Sequence, residues 1–434
     1  MQVPPRTTST YRLTLWKTLL IMPTPAQASP AVPRLTYLRI KNYRALRDVE
    51  FRDLTPLTVL IGPNGSGKST VLDALDFLAE AVRGNLVGAW EKRNRFQGMR
   101  TRGSEGNIEF EVHCIVEEGS IIYNLSVGGE EETINVVNEV LSLNNGKDIQ
   151  RIFYSVRDKA KKRDSTSHRN EYSSDVEKSY RAGVRGDLLN LFILPKSHWE
   201  VIESNTDLMV SAITSYRYVH LTDDHLKGYS DAGPREKLSP NGDNLPNVLY
   251  YLHTRHPETL ANITAQMRRW VPGLADIVPE ITSDERLLLR FKDAPFEKPL
   301  PAQYMSDGTM RLAALLTLLY EPDASGLLGI EEPENELHPR LLTRLAEELM
   351  KASEQRQLLV ATHSPFLLDS FEPEDVWILD RGPDGYTKAT RTADIPNVKQ
   401  MVEDGSPLGY LWTSNFFTVG DPLASPRNAA PDAR

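Results

Sequence analysis

GPNGSGKST, residues Gly62 to Thr70, follows the apolar run Leu57-Thr-Val-Leu-Ile61 and precedes a helical pattern. Val71, Leu72, Leu75, Leu78, Ala79 and Val82 recur at helical spacing, with Asp73, Asp76 and Glu80 on the opposite face. A buried strand, a glycine-rich turn and an amphipathic helix are the context that a Walker A phosphate loop requires, and Gly62-x-x-x-x-Gly67-Lys68-Ser69 has its spacing. The glycines let the backbone curl. The N–H groups of Gly62, Asn64, Gly65, Ser66, Gly67, Lys68, Ser69 and Thr70 can then gather round phosphate oxygens at a helix N-terminus. Lys68 is placed for the β- and γ-phosphates and the Ser69 hydroxyl for Mg²⁺, so the loop implies bound ATP and Mg²⁺.

Three further motifs lie in the last third. Leu327-Leu-Gly-Ile-Glu331-Glu332-Pro-Glu334 is a buried strand ending in carboxylates. After a Walker A loop it reads as Walker B: Glu331 acts on the metal or its waters, and Glu332 polarises the attacking water. Glutamate stands at 331 where aspartate is usual, which suggests that the longer side chain acts through a water. Glu334 is either a further site carboxylate or the cap of the helix beginning near His338-Pro339. Ser306-Asp-Gly-Thr309 opens the helix from Met310 and is by itself an N-cap; upstream of the acidic strand it is also a second anion site. Thr362-His363-Ser364 ends the strand Leu358–Ala361 at the sheet edge where α/β folds bind ligands. His363 is either a γ-phosphate and water contact or a turn histidine.

In this order the four motifs resemble ABC-type ATPase heads of the RecF/SMC-like class, and in particular the stand-alone AAA-21 relatives of OLD proteins. Ile40-Lys-Asn-Tyr-Arg-Ala-Leu46, Leu238 to Leu249 and Ile330 to Pro339 support the likeness, which covers Leu35 to Leu411. The resemblance implies an ATPase that sandwiches ATP in a head-to-tail homodimer, with Glu332, His363 and Lys68 catalytic. It also implies Ser69 and Glu331 at the metal, Ser306 and Gly308 completing the partner's site, and Asn42 and Arg44 at the phosphates. Gln97 is the candidate Q-loop metal contact, though Phe96-Gln97-Gly98 among arginines also reads as a plain loop. SDGT is not the LSGGQ of transporters, which argues against a transporter subunit. OLD-like nucleases carry a Toprim domain after the ATPase. With His363 already late in a chain of 434 residues, a nuclease is expected to be a separate partner.

The fold expected is therefore α/β: a P-loop ABC-type head with a mixed, largely parallel core sheet, an antiparallel β subdomain and an inserted, mainly helical lobe. Strict alternation over Asn107 to Ile115 marks the antiparallel part and puts Cys114 on its apolar face. The expected division is a proline-rich leader over 1–33, the first part of the head over 34–156 and a polar loop over 157–183. The inserted lobe follows over 184–299, and the rest of the head over 300–434. Residues 1–28 loosely mimic a secretory signal, but Lys17 splits the apolar stretch, so a leader is the reading taken. A single cysteine excludes a disulfide framework and fits a cytoplasmic setting; no apolar run is long enough to span a membrane. The net charge of −9 excludes a dense nucleic-acid coat protein but not a local basic groove. Two basic clusters, Arg93, Arg95, Arg100 and Arg102, then Lys159, Lys161, Lys162 and Arg163, are either solvated faces or contacts to DNA or RNA. Two functions are compatible with these features: action on nucleic acid, in phage defence or DNA repair, and a nucleotide-gated scaffold that releases a separate effector.

Overall fold

The computed structural model describes residues 33–156, 189 and 200–420, apart from 118, 131, 229, 232, 283, 285 and 295. Apart from Pro33, the leader lies outside the described residues, as do the polar loop and the Lys159–Arg163 cluster. The chain enters through β1 (Leu35–Tyr43) and β2 (Leu46–Phe51), then β3 (Leu57–Ile61) and helix α1 (Lys68–Val82). Short helices α2 (Leu86–Lys92) and α3 (Arg95–Met99) lead to β4 (Ile108–Val116), β5 (Gly119–Gly128), β6 (Asn135–Asn144) and β7 (Ile149–Val156). After α4 (Glu200–Thr214) come β8 (Arg217–Val219), α5 (Asp223–Leu226), β9 (Ser230–Asp231), α6 (Leu245–Arg255) and α7 (Pro257–Trp270). The hairpin β10 (Leu274–Ile281) and β11 (Arg286–Asp293) and the short β12 (Leu300–Pro301) precede α8 (Asp307–Leu319). The last elements are β13 (Leu327–Glu331), α9 (Leu342–Ser353), β14 (Gln357–Thr362), α10 (Pro365–Leu368), β15 (Val376–Arg381), β16 (Thr387–Arg391), α11 (Val398–Glu403) and α12 (Leu408–Thr413).

Two six-stranded sheets dominate. The core sheet has the order β16-β15-β3-β14-β13-β8, all parallel except the edge strand β16. Every residue of β3, β13 and β14 is buried, as expected of parallel strands covered on both faces. Alternate side chains divide between two cores. Leu60, Leu359 and Leu327 pack with α1 and the antiparallel sheet, while Val59, Val360 and Leu328 pack with α6 to α9. The second sheet, β2-β1-β4-β5-β6-β7, is antiparallel throughout. Its alternation follows the sequence pattern: Ile108, Phe110, Val112 and Cys114 are buried.

The stretch expected to be an inserted lobe contributes β8 to the core sheet. Three residues are too few for periodicity to reveal a strand, and the pairing with β13 is fixed by tertiary contact instead. Burial pushes the Cys114 thiol up to about 12, and Met209 Sδ lies 3.8 Å from its sulfur. Cys114 is thus expected to resist a thiol reagent such as DTNB until the protein is denatured; prompt labelling of the native protein would contradict its core placement.

Candidate active site

The parallel order puts the C-terminal ends of β3, β14 and β13 side by side, so the glycine loop, His363 and the Glu331–Glu332 pair share one edge of the sheet. Gly67 has φ +110 and a side chain there would meet Thr387 Oγ1 at 2.5 Å, so both conformation and space demand glycine. The hairpin β15–β16 grips the loop: Arg381 Nε donates to Gly65 O at 2.6 Å and Thr387 Oγ1 to Ser66 O at 2.7 Å. Lys68 Nζ donates to Gly62 O at 2.8 Å and Pro63 O at 3.2 Å. Burial lowers its pKa to about 8 although Glu332, Glu331 and Glu334 pull the other way.

Ser69, in the first turn of α1, donates from Oγ to Glu331 Oε1. The other carboxylate oxygen accepts from Tyr218 Oη and faces His220 Nδ1 at 3.3 Å. Burial would raise the Glu331 carboxyl, but the neighbouring His220 and the hydrogen bonds from Ser69 and Tyr218 outweigh it and hold the pKa at about 2. Burial and Glu331 together push the Tyr218 phenol far above its ordinary value, so it stays a donor. Ser69 and Glu331 thus meet directly at the end of β13. The hydroxyl and carboxylate together form a hard oxygen pair that suits Mg²⁺.

Glu332 follows with φ +44, an uncommon conformation for a residue with a Cβ. Its N–H donates to Ala361 O at 2.8 Å, its carbonyl accepts from Arg311 Nη2 at 2.6 Å, and its Oε2 accepts from Asn335 Nδ2 at 2.7 Å. His363 Nε2 stands 3.3 Å from Glu332 Oε1. Burial, then the Lys68 charge, lowers the His363 pKa, so the imidazole is neutral at neutral pH. Glu334 does not cap the following helix. Its Oε1 accepts from Thr362 Oγ1 at 2.6 Å and from His363 N at 2.7 Å, which braces the end of β14.

Ser306 is the N-cap of α8, accepting from Thr309 N at 3.2 Å, and Asp307 pairs with Lys227 at 2.6 Å. A side chain at Gly308 would meet Glu336 O at 2.4 Å, so this glycine serves its own subunit by letting α8 close on the turn after Glu332. Beside Thr70 lies a cavity of about 700 Å³ lined by Arg44, Gln97, Arg100, Arg102 and Arg381. Asp384 also lines it, but four arginines against one carboxylate favour an anionic occupant. Arg44 is held there by Asp73 at 3.0 Å and by Gly98 O at 3.2 Å. Asn42 instead shapes the loop before β4: its buried amide donates to Gly106 O at 2.5 Å and Asn107 O at 3.1 Å. Arg93 is neither a solvated cation nor a nucleic-acid contact. Its side chain is 3% exposed and pairs with Asp73, Asp76 and Glu80 on α1.

Sequence patterning does not point to Tyr218, His220 or Arg381. Arg311 does leave a trace, as a lone cation in the apolar helix Met310 to Leu319, where a buried charge requires partners. It is fully buried and also donates to Leu221 O at 3.0 Å, tying the SDGT helix to the Walker B strand.

Residues 57–369 match the family model described as "AAA domain, putative AbiEii toxin, Type IV TA system", AAA_21. The chain belongs to this AAA-21 family. Among curated proteins, the OLD nuclease of Thermus scotoductus is 23% identical over 404 residues, which is 86% of this chain and 67% of that protein. The chromosome partition protein Smc of Methanocaldococcus jannaschii is 24% identical over 153 residues, covering 35% of this chain but only 12% of the Smc protein. The crystal structure of an Smc head bound to the C-winged helix domain of ScpA superposes with a TM-score of 0.50 at 15% identity. That superposition spans 82% of this chain and 98% of the Smc head, and it establishes the fold. This AAA-21 member is therefore an ATPase head of the SMC and OLD type. No described helix is long and apolar enough to cross a membrane.

Proposed function

We propose that this AAA-21 protein is a Mg²⁺-dependent ATP hydrolase that dimerises head-to-tail on ATP and works in a nucleic-acid-linked process such as phage defence or DNA repair. The observation that carries the reading is the convergence of Lys68, Ser69, Glu331, Glu332 and His363 on one sheet edge beside a cationic cavity. The loop N–H groups and Lys68 would hold the β- and γ-phosphates, and Ser69 and Glu331 the metal. Gln97 is a further candidate contact from the cavity wall. Bound Mg²⁺ would neutralise charge on the phosphates. Glu332 would orient and polarise the attacking water, with neutral His363 as its hydrogen-bonding neighbour. Ser306 and Gly308 at the N-terminus of α8 would meet the γ-phosphate bound by a second copy.

Subunit mixing tests the composite site. Ser306→Arg is expected to bind ATP but not hydrolyse it, because the long cation fills the position facing the partner's phosphate. Lys68→Ala lacks the other half. An equimolar mixture of the two inactive proteins regains one intact site in each heterodimer, about a quarter of the wild-type rate. No recovery on mixing, or normal turnover by Ser306→Arg alone, rules out the shared site.

A second reading, a nucleotide-gated scaffold for a separate effector such as a Toprim-type nuclease, has one observation in its favour. Part of the OLD nuclease lies outside the match to this chain. Nucleic acid stimulates turnover under the first reading; a partner protein does so under the second.

A further inference from the structure

We infer that Tyr218 is a positioning residue that fixes the Glu331 carboxylate for metal binding, an inference that rests on the reading of Ser69 and Glu331 as the metal pair.

The geometry begins with strand register. β8 runs parallel to β13 with Tyr218 opposite Gly329 and Val219 opposite Ile330. Residues two apart share a sheet face, so Tyr216 and Tyr218 lie on the same side as Gly329 and Glu331. Gly329 leaves room for the first tyrosine: a side chain there would meet Tyr216 Oη at 2.3 Å. Tyr216 thus crosses β13 and donates to Leu72 O in α1 at 3.0 Å, while Tyr218 donates to Glu331 Oε2. One tyrosine ties the edge strand to the phosphate-loop helix and the other to the acidic strand.

The opposite face locks the strand in place. Arg217 donates to Glu321 Oε2 at 2.6 Å and to Leu238 O at 2.8 Å, and Arg356 Nη1 reaches the same glutamate oxygen at 3.1 Å. Glu321 and Arg356 form a buried pair, so a shift of β8 would pull Arg217 away from a fixed carboxylate and from Leu238 O. The Tyr218 hydroxyl is consequently a fixed point.

A fixed donor matters because residue 331 is glutamate. Its extra methylene adds a rotatable bond, and an unrestrained carboxylate would sample orientations that no longer face Ser69. Tyr218 on Oε2 leaves Oε1 directed at the Ser69 hydroxyl. The tyrosine thereby supplies the rigidity that the shorter aspartate would have by itself.

Metal uptake, rather than turnover, tests this. Mn²⁺ standing in for Mg²⁺ is titrated by EPR into the full chain saturated with ATPγS, and ATPγS affinity is measured separately in EDTA. Tyr218→Phe, which loses only the hydroxyl, is expected to weaken Mn²⁺ by about tenfold, the effect of one hydrogen bond to a charged group, with ATPγS affinity in EDTA unchanged. In a Glu331→Asp background the shortened carboxylate no longer reaches Tyr218, and adding Tyr218→Phe should cause no further loss. Wild-type Mn²⁺ affinity in Tyr218→Phe overturns the inference. So does an equal loss in both backgrounds, or a loss of ATPγS binding in EDTA, which marks a general folding role. If the wild-type protein binds ATPγS but no Mn²⁺, the assignment of the metal pair itself fails and Tyr218 has nothing to position.

Discussion

Lys68→Ala is expected to lower ATP affinity by roughly a hundredfold or more while leaving the protein folded. The ammonium is the one cation inside the loop itself, and charge-assisted contacts to phosphate are each worth about 1.5–3 kcal/mol. In the loop it donates to the carbonyls of Gly62 and Pro63. Its loss therefore also frees the loop from its lysine clamp, although Arg381 and Thr387 still hold Gly65 and Ser66 from the β15–β16 hairpin. Stability is not expected to suffer. Burial has brought the Lys68 pKa from 10.5 down to about 8. A folded pKa below the unfolded one means that the charged form disfavours folding below about pH 8, an effect that fades as pH rises toward 10.5. Alanine removes that burden at neutral pH. Calorimetric titration with ATP and a thermal melt separate the two effects. Tight ATP binding by a folded Lys68→Ala protein removes the phosphate-loop assignment.

The parts of this site readable from sequence are those whose chemistry is local in the chain. The glycine loop announces itself because strand, turn and helix are contiguous, and each constrains the next. The acidic pair and His363 are legible because each closes an apolar run that only a buried parallel strand explains. What could not be read is whatever depends on strands distant in sequence. Tyr218 reaches Glu331 because β8 pairs with β13, a separation of 113 residues along the chain. Nothing about Arg-Tyr-Val, three residues long, marks it as part of the core sheet. The arginines show the same limit from the other side. Arg93 and Arg100 are neighbours in one basic run, yet Arg93 is buried against three carboxylates of α1 while Arg100 lines the cavity beside Thr70. Sequence counts the charges; only the packing of α2 on α1, with α3 on α2, decides which of them is neutralised.

Glu332→Gln should separate binding from hydrolysis. Glutamine has the size of glutamate and can still accept from Asn335 Nδ2, now 2.7 Å from the carboxylate. The unusual φ of +44 at this position is imposed by the backbone bonds to Ala361 and Arg311, neither of which involves the side chain of Glu332. The fold and the proposed metal pair of Ser69 and Glu331 are thus untouched, and ATP binding should be close to normal. What is lost is the anionic oxygen 3.3 Å from His363, the group able to draw a proton from water. Loss of one such general base typically costs about 10²–10⁴ in rate. His363 does not replace it. Its pKa is already lowered by burial and by Lys68, and removing the Glu332 charge, which raises that pKa, lowers it further. Under the proposed head-to-tail reading, with hydrolysis stalled and binding intact, each ATP would stay between the Lys68 side of one subunit and the Ser306 side of the next. The dimer should therefore accumulate with ATP and fall apart in its absence. Light scattering on the eluted protein reads this directly. A Glu332→Gln protein that binds ATP and remains monomeric would show that Arg311 ties Ser306 and Glu332 together for the benefit of a single subunit, and the head-to-tail model would have to be given up.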